Sequence, residues 1–200
     1  MQLFLNATSP FARLARVVAL EKGLADRLTL VWSDPWNNDP ALLAAHPQLR
    51  IPVLVTDEGP AISESLLIAQ YLDHLGTGPA LVPAVQAATV LARTSVAYGL
   101  MEAAFNLVIA RKYEGAAVAD ASVMGQRRLA ALHRVLEQLK HSPPTPLADP
   151  ITLDQLATAV ALAYVAFRLP ELLAPQSLAS VRAWLQQAEQ RPSLQATAFV

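Results

Sequence analysis

Gln2-Leu3-Phe4-Leu5-Asn6-Ala7-Thr8-Ser9-Pro10-Phe11-Ala12-Arg13 opens the chain with a short apolar run, a polar corner and a proline. That succession decides how the first half folds. Gln2 to Leu5 reads as a strand. Ser9 then stands where a helix N-cap is expected, with Pro10 at the first helical position, where a missing N–H removes no helical bond. From Pro10 to Lys22 the residues Phe11, Leu14, Val17 and Val18 fall on one broad apolar face, and Gly23 supplies a stop.

The pattern continues outward in the same alternation. Leu28 to Trp32 predicts a second strand, and Asp39-Pro40 opens a short helix by the same cap-and-proline device. Ile51 to Val55 predicts a third strand, Asp57-Glu58-Gly59-Pro60 a turn, Ala61-Ile62-Ser63 a fourth strand and Glu64 to Leu75 a helix. The order over residues 1–75 is therefore β-α-β-α-β-β-α. Gly76, Gly78, Pro79 and Pro83 punctuate a linker over 76–85. Residues 86–200 carry only helical signals, predicted at Gln86–Tyr113, Ala121–Lys140, Thr152–Phe167 and Leu178–Gln190. Leu91, Val96, Leu100, Phe105 and Ile109 are the expected core positions of the first of these, and Met124, Leu129, Leu132, Leu136 and Leu139 those of the second. Thr152–Phe167 is almost wholly apolar and is expected at the centre of that half.

Composition narrows the chemistry. Of 200 residues 54 % are hydrophobic and 16 % charged, which excludes disorder. Fifteen Lys and Arg against sixteen Asp and Glu leave no basic field for nucleic acid or an anionic membrane surface. No apolar run reaches the roughly 18–20 residues of a membrane span, and no leader is evident, so a cytoplasmic protein is expected. Cysteine is absent, which rules out a disulfide framework, a thiolate metal site and a protein thiol acting as nucleophile. His46, His74, His133 and His141 show no ligand spacing, so no metal is expected.

Three segments bear on function. Thr8-Ser9-Pro10-Phe11 is, at its plainest, a helix start; the same geometry places a hydroxyl beside N-terminal N–H groups, where an anion or thiolate is held. Ile51-Pro52-Val53 is either an ordinary loop-to-strand proline or a cis-proline that leaves a neighbouring backbone able to pair with an extended ligand. Ser63-Glu64-Ser65 caps a helix, and it also offers a carboxylate for an ammonium and a hydroxyl at a helix N-terminus for a carboxylate. The second pair of groups would recognise an amino-acid headgroup.

Taken together, these segments, in this order and before an all-helical half, resemble the glutathione S-transferase family. The likeness is clearest from Met1 to about Leu75, where Thr8 to Arg13 and Glu21-Lys22-Gly23-Leu24 are similar to bacterial members with a serine-type Ser-Pro-Phe turn. It extends weakly onward through Arg191-Pro192-Ser193. The resemblance implies an α+β protein, a thioredoxin-like N-terminal domain followed by an all-α domain, and glutathione as co-substrate. By position it implies that Ser9, with Thr8 as second choice, hydrogen-bonds the glutathione sulfur and that Pro52 is cis. It also implies that Val53 pairs through its backbone with the cysteinyl part, and that Glu64 and Ser65 hold the γ-glutamyl group. Arg50 would reach the glycyl carboxylate, with Phe11 and Ile51 completing the glutathione contacts. The electrophile is expected between the domains, against Tyr98, Met101, Phe105 and Asn106. Family precedent adds a homodimer and a role in detoxification. One departure stands out: relatives carry Asn-Pro-Leu-Gly-Lys before the cis-proline, and here the stretch is His46-Pro47-Gln48-Leu49-Arg50. A second is the helix start at Thr152, where Gln155 replaces the family's Asp and still suits a capping box.

Among the family's modes of thiol activation, cysteine is unavailable, and Tyr71, Tyr98, Tyr113 and Tyr164 all lie far from the first turn in sequence. A serine-type site is left. Lowering a thiol from near ~8.5 by about two units needs roughly 2.7 kcal/mol. One hydrogen bond to the charged sulfur supplies about 1.5–3 kcal/mol and a helix N-terminus about 0.3–1 kcal/mol. The expected activity is conjugation of glutathione to a small electrophile. A glutathione-dependent isomerase or dehalogenase would use the same thiolate, and a non-catalytic binding scaffold is the reading from another class.

Overall fold

The computed structural model describes residues 1–147 and 149–200, and these form two compact units, Met1–Ala80 with Ala196–Val200, and Leu81–Gln195. In the first unit the strands are β1 (Gln2–Leu5), β2 (Thr29–Trp32), β3 (Val53–Val55) and β4 (Ala61–Ser63), and the helices α1 (Pro10–Glu21), α2 (Pro40–Ala45) and α3 (Ser65–Leu75). The sheet order is β2-β1-β3-β4, with β1 parallel to β2 and antiparallel to β3, and β3 antiparallel to β4. This is the thioredoxin-like arrangement expected from the sequence.

Strand alternation divides the core between the two faces of the sheet. Leu3 and Leu5 are fully buried on one face, and Phe4 points to the other, where it clusters with Leu42 of α2 and Val53. The helices α1 and α3 pack on each other, and Leu14, Val17 and Val18 of α1 and Ile68 and Leu72 of α3 are fully buried. Lys22, just past α1, is only 2 % exposed: its Nζ meets Asp73 Oδ1 at 2.9 Å and donates to the Pro79 carbonyl at 2.8 Å. Gly76 makes that junction possible, since a Cβ there would lie 2.6 Å from the Lys22 carbonyl oxygen. The closing residues Ala196–Val200 return to α1, where Thr197 Oγ1 accepts from Arg13 Nε at 3.4 Å and the Phe199 ring lies 4.5 Å beneath the Arg13 guanidinium.

The second unit consists of α4 (Ala87–Glu114), α5 (Ala116–Ala121), α6 (Val123–His141), α7 (Leu153–Arg168), α8 (Pro170–Leu173), α9 (Ala179–Ala188) and α10 (Pro192–Gln195), with short 3-10 turns between. Helix α7 is buried at every residue from Leu153 to Val165 and packs along α4, the central position its composition predicts. Gln155 reaches back so that its Oε1 accepts from the Thr152 N–H at 3.1 Å. Two core expectations fail. Leu91 and Met124 are each 52 % exposed. The buried stripe of α4 runs through Val90, Thr94, Ala97, Leu100, Met101, Ala104 and Leu107, and Leu91 sits about 100° round the helix from its first member. On α6 the stripe begins at Gly125, where any Cβ would strike the Ala119 carbonyl, so Met124 turns outward. Arg111 ties this unit together, meeting Asp120 at 2.8 and 2.9 Å and Glu171 at 2.6 Å; those hydrogen bonds, Asp120 first, raise its pKa further. Among the described residues no helix is long and apolar enough to cross a membrane.

Candidate functional site

The strand register gathers the residues singled out by sequence. Phe4 lies opposite Val53, and Val53 lies opposite Ser63. The C-terminal end of β1, the start of β3 and the end of β4 therefore share one edge of the first unit. Ser9 follows β1 there, Pro52 precedes β3, and Glu64 and Ser65 follow β4. Two strand spacings, about 10 Å, separate the ends of β1 and β4, close to the reach of an extended tripeptide.

At the β1 end, Asn6 shapes the corner. Its Oδ1 accepts from the backbone N–H groups of Thr8 at 3.2 Å and Ser9 at 2.8 Å, a side-chain turn that delivers the chain into α1. Ser9 is 7 % exposed and is the N-cap of α1, its Oγ accepting from the Ala12 N–H at 3.2 Å. The plain capping role is thus real. It also orients the oxygen: one of its lone pairs is taken by the helix, and the hydroxyl proton is left to donate elsewhere. No acidic residue stands in the first turn of α1 to compete for its positive end.

At the β3 end the Ile51–Pro52 peptide is cis. Val53 is fully buried between Phe4 of β1 and Ser63 of β4. Ile51 stands two residues before β3 begins. The preceding loop keeps a left-handed turn without glycine: Leu49 has φ 51° and packs against the Phe4, Leu42 and Val53 cluster. That conformation costs an L-residue about 1–2 kcal/mol, offset here by apolar burial of the side chain. Substituting Leu49 should therefore invert the usual ranking. Leu49→Ala forfeits packing and keeps the strain, whereas Leu49→Gly loses the packing but relieves the strain. Urea denaturation is expected to find the glycine variant more stable than the alanine variant by about 1 kcal/mol; the reverse order would contradict the strained loop.

At the β4 end Glu64 also has positive φ, 70°, and caps α3, with its carbonyl accepting from the Ile68 N–H at 3.0 Å. Ser65, fully buried, is the first residue of α3. The Arg50 guanidinium meets Glu64 Oε1 at 3.1 Å, both side chains being largely in solvent. The family resemblance implies that these two charges meet opposite ends of a ligand; the structure brings them together. An exposed pair of this kind is worth about 0–1 kcal/mol, so a ligand's own charges can replace it.

Several candidates belong to the second unit. Tyr98, Met101, Phe105 and Asn106 belong to α4 of the second unit; Met101 is fully buried, and the other three are partly exposed. Tyr164 is buried in α7, and burial pushes its phenol up to about 12, so it holds its proton at neutral pH. Among the described residues no group of three or more His, Asp or Glu side chains is placed to hold a metal ion.

Comparison with known proteins agrees with this geometry. Residues 8–75 match the family model described as the glutathione S-transferase N-terminal domain. The uncharacterized GST-like protein YibF of Escherichia coli K12 is 29 % identical over 172 residues, covering 84 % of this chain and 83 % of that protein. A glutathione transferase family member from Pseudomonas fluorescens Pf-5, solved with bound glutathione, superposes with a TM-score of 0.88 at 29 % identity, covering 98 % of each chain. A glutathione S-transferase from Methylobacillus flagellatus with glutathione bound gives a TM-score of 0.83 at 26 % identity, covering 100 % of this chain and 99 % of that one.

Proposed function

We propose that the chain is a glutathione S-transferase, the family that its first unit and its relatives resemble, and that it binds glutathione along the β1–β3–β4 edge and conjugates it to a small electrophile. The observation that carries this reading is the register Phe4–Val53–Ser63, which aligns Ser9, the cis-proline and the Glu64-Ser65 cap along one ligand-length edge. The two relatives solved with glutathione support the ligand.

In this reading the cysteinyl sulfur lies over the N-terminus of α1 and receives the Ser9 hydroxyl proton as a hydrogen bond. Ser9 stabilises the thiolate and forms no covalent bond. The cysteinyl backbone pairs with that of Val53 beside Pro52, with Ile51 completing the contact. The γ-glutamyl carboxylate meets Ser65 and the first N–H groups of α3, its ammonium meets Glu64, and Arg50 is released toward the glycyl carboxylate. Phe11 flanks the sulfur from the first turn of α1. The thiolate then attacks an electrophilic carbon, a C–S bond forms as the leaving group or π-bond accepts the electron pair, and a thioether results. Tyr98, Phe105 and Asn106 are the proposed electrophile contacts.

Calorimetric titration with glutathione tests the binding half. Ser65→Ala removes a hydrogen bond to a charged group, about 1.5–3 kcal/mol, and is expected to weaken affinity roughly 10- to 150-fold. Glu64→Gln is expected to weaken it about tenfold. Unaltered affinity in both variants would refute these assignments. The proposal also includes the family's homodimer: sedimentation equilibrium at micromolar concentration is expected to give twice the 21.5 kDa chain mass, and the single-chain mass would exclude it.

A further inference from the structure

Arg13 of α1 is only 3 % exposed, an unusual depth for a guanidinium. Its backbone N–H donates to the Ser9 carbonyl at 3.0 Å, so it stands one helical turn, about 6 Å along the axis, from the residue proposed to meet the sulfur. Helical side chains lean toward the N-terminus, which carries the Arg13 stem back over that turn. Its head is clasped from the segment Ala196–Val200, which belongs to the same compact unit. Nε donates to Thr197 Oγ1 at 3.4 Å, and the guanidinium carbon lies 4.5 Å from the centre of the Phe199 ring, within cation–π range. Neither of these partners is charged, so these contacts place the cation without cancelling its field.

The other charges on and around α1 are placed differently. Arg16 holds its guanidinium 5.7 Å from the centre of the Trp32 ring and donates to the Ala196 carbonyl at 3.5 Å. Glu21 and Lys22 stand at the far end of the helix, where Lys22 is matched with Asp73 of α3 and His74 occupies the last turn of α3. Glu64, at the start of α3, meets Arg50 at 3.1 Å, and no acidic residue lies in the first turn of α1. We propose that Arg13 is a positioning charge for the transferase reaction: clasped by Thr197 and Phe199, it supports the thiolate of bound glutathione through its field and touches neither the sulfur nor the electrophile. This role rests on the glutathione site proposed above and adds a residue to it. Burial is what lets the charge act at that range, since a solvated arginine would be screened. A unit charge roughly 10 Å away, through an effective dielectric between about 20 and 40, moves a thiol by about 0.5–1 unit. That is a smaller share than the one assigned to Ser9.

The test is the pH dependence of the ultraviolet thiolate band of glutathione bound to the full chain, with affinity followed alongside by calorimetry. Arg13→Gln should raise the bound thiol's pKa by about 0.5–1 unit, which lowers the thiolate fraction roughly 3- to 10-fold at pH below both values. Arg13→Lys keeps the charge and should recover most of that shift. Phe199→Ala leaves Arg13 in place but opens it to water, so the thiol pKa of that variant should climb with added salt while the parent's holds steady. An unmoved thiol pKa in Arg13→Gln, or equal shifts in Arg13→Gln and Arg13→Lys, would overturn the proposal. Should Arg13→Gln fail to fold, the salt response of Phe199→Ala decides it, and a thiol pKa as indifferent to salt as the parent's would overturn the role of Arg13. A parent that binds no glutathione would instead refute the glutathione site, and this role with it.

Discussion

Replacing Lys22 with methionine is expected to destabilise the first unit by about 3–5 kcal/mol, the cost of removing one partner from a buried ion pair. The Lys22 side chain is 2 % exposed, and its ammonium holds Asp73 of α3 at 2.9 Å and the carbonyl of Pro79 at 2.8 Å. Methionine fills the volume but leaves the Asp73 carboxylate, itself only 16 % exposed, without its cation. Against a total stability of about 5–15 kcal/mol the loss is severe. Gly76→Ala attacks the same junction sterically, because its Cβ would sit 2.4 Å from the Lys22 Cβ and 2.6 Å from the Lys22 carbonyl oxygen. Urea denaturation followed by circular dichroism should show both variants melting early. A Lys22→Met variant within 1 kcal/mol of the parent would mean that the pair is not a structural tie.

Ser9→Ala carries the largest functional effect. The hydroxyl is one of two groups assigned to the sulfur, and losing a hydrogen bond to a charged acceptor costs about 1.5–3 kcal/mol. The bound thiol's pKa should rise by about 1–2 units, and conjugation at neutral pH should fall roughly 10- to 150-fold. The sign follows from the acid involved. In the proposed site Ser9 favours the charged thiolate, so the parent's advantage is full below its own lowered thiol pKa, shrinks as pH climbs through the window between the two pKa values and is gone above the variant's raised one. Glutathione affinity should stay within a few fold, because the γ-glutamyl and backbone contacts remain. Loss of the N-cap lowers stability by about 0.5–2 kcal/mol, which a melting curve separates from the kinetic effect. Ser9→Thr keeps a hydroxyl and should recover most of the rate.

The alternation of strands and helices over the first 75 residues was legible because each boundary carries a local device: Ser9-Pro10, Asp39-Pro40 and the turn at Asp57 to Pro60. Helix α5 was not. Its six residues are too few to show a period, and the break before it rests on Gly115 at φ 83°. The sites of Leu91 and Met124 failed because periodicity admits neighbouring stripes, and only packing partners choose between them. At the candidate site, the positions of Ser9, Pro52, Glu64 and Ser65 came from motif resemblance, and the strand register supplied their common edge. Asn6 could have been read as a turn former, lying three residues before the cap. The Arg50–Glu64 pair and the burial of Lys22 had no local signal, since each depends on segments distant in sequence. Leu49 shows the same limit differently: the missing glycine was visible, but tertiary packing decided that leucine would hold the left-handed turn.

Titrating the protein with glutathione near neutral pH and recording the ultraviolet difference spectrum tests the central claim most directly, since it needs no electrophile. A saturable thiolate band that disappears in Ser9→Ala is the predicted result. Saturable binding with no thiolate band, or a band undiminished in Ser9→Ala, would contradict the role of Ser9, and the absence of any binding would contradict the glutathione site itself.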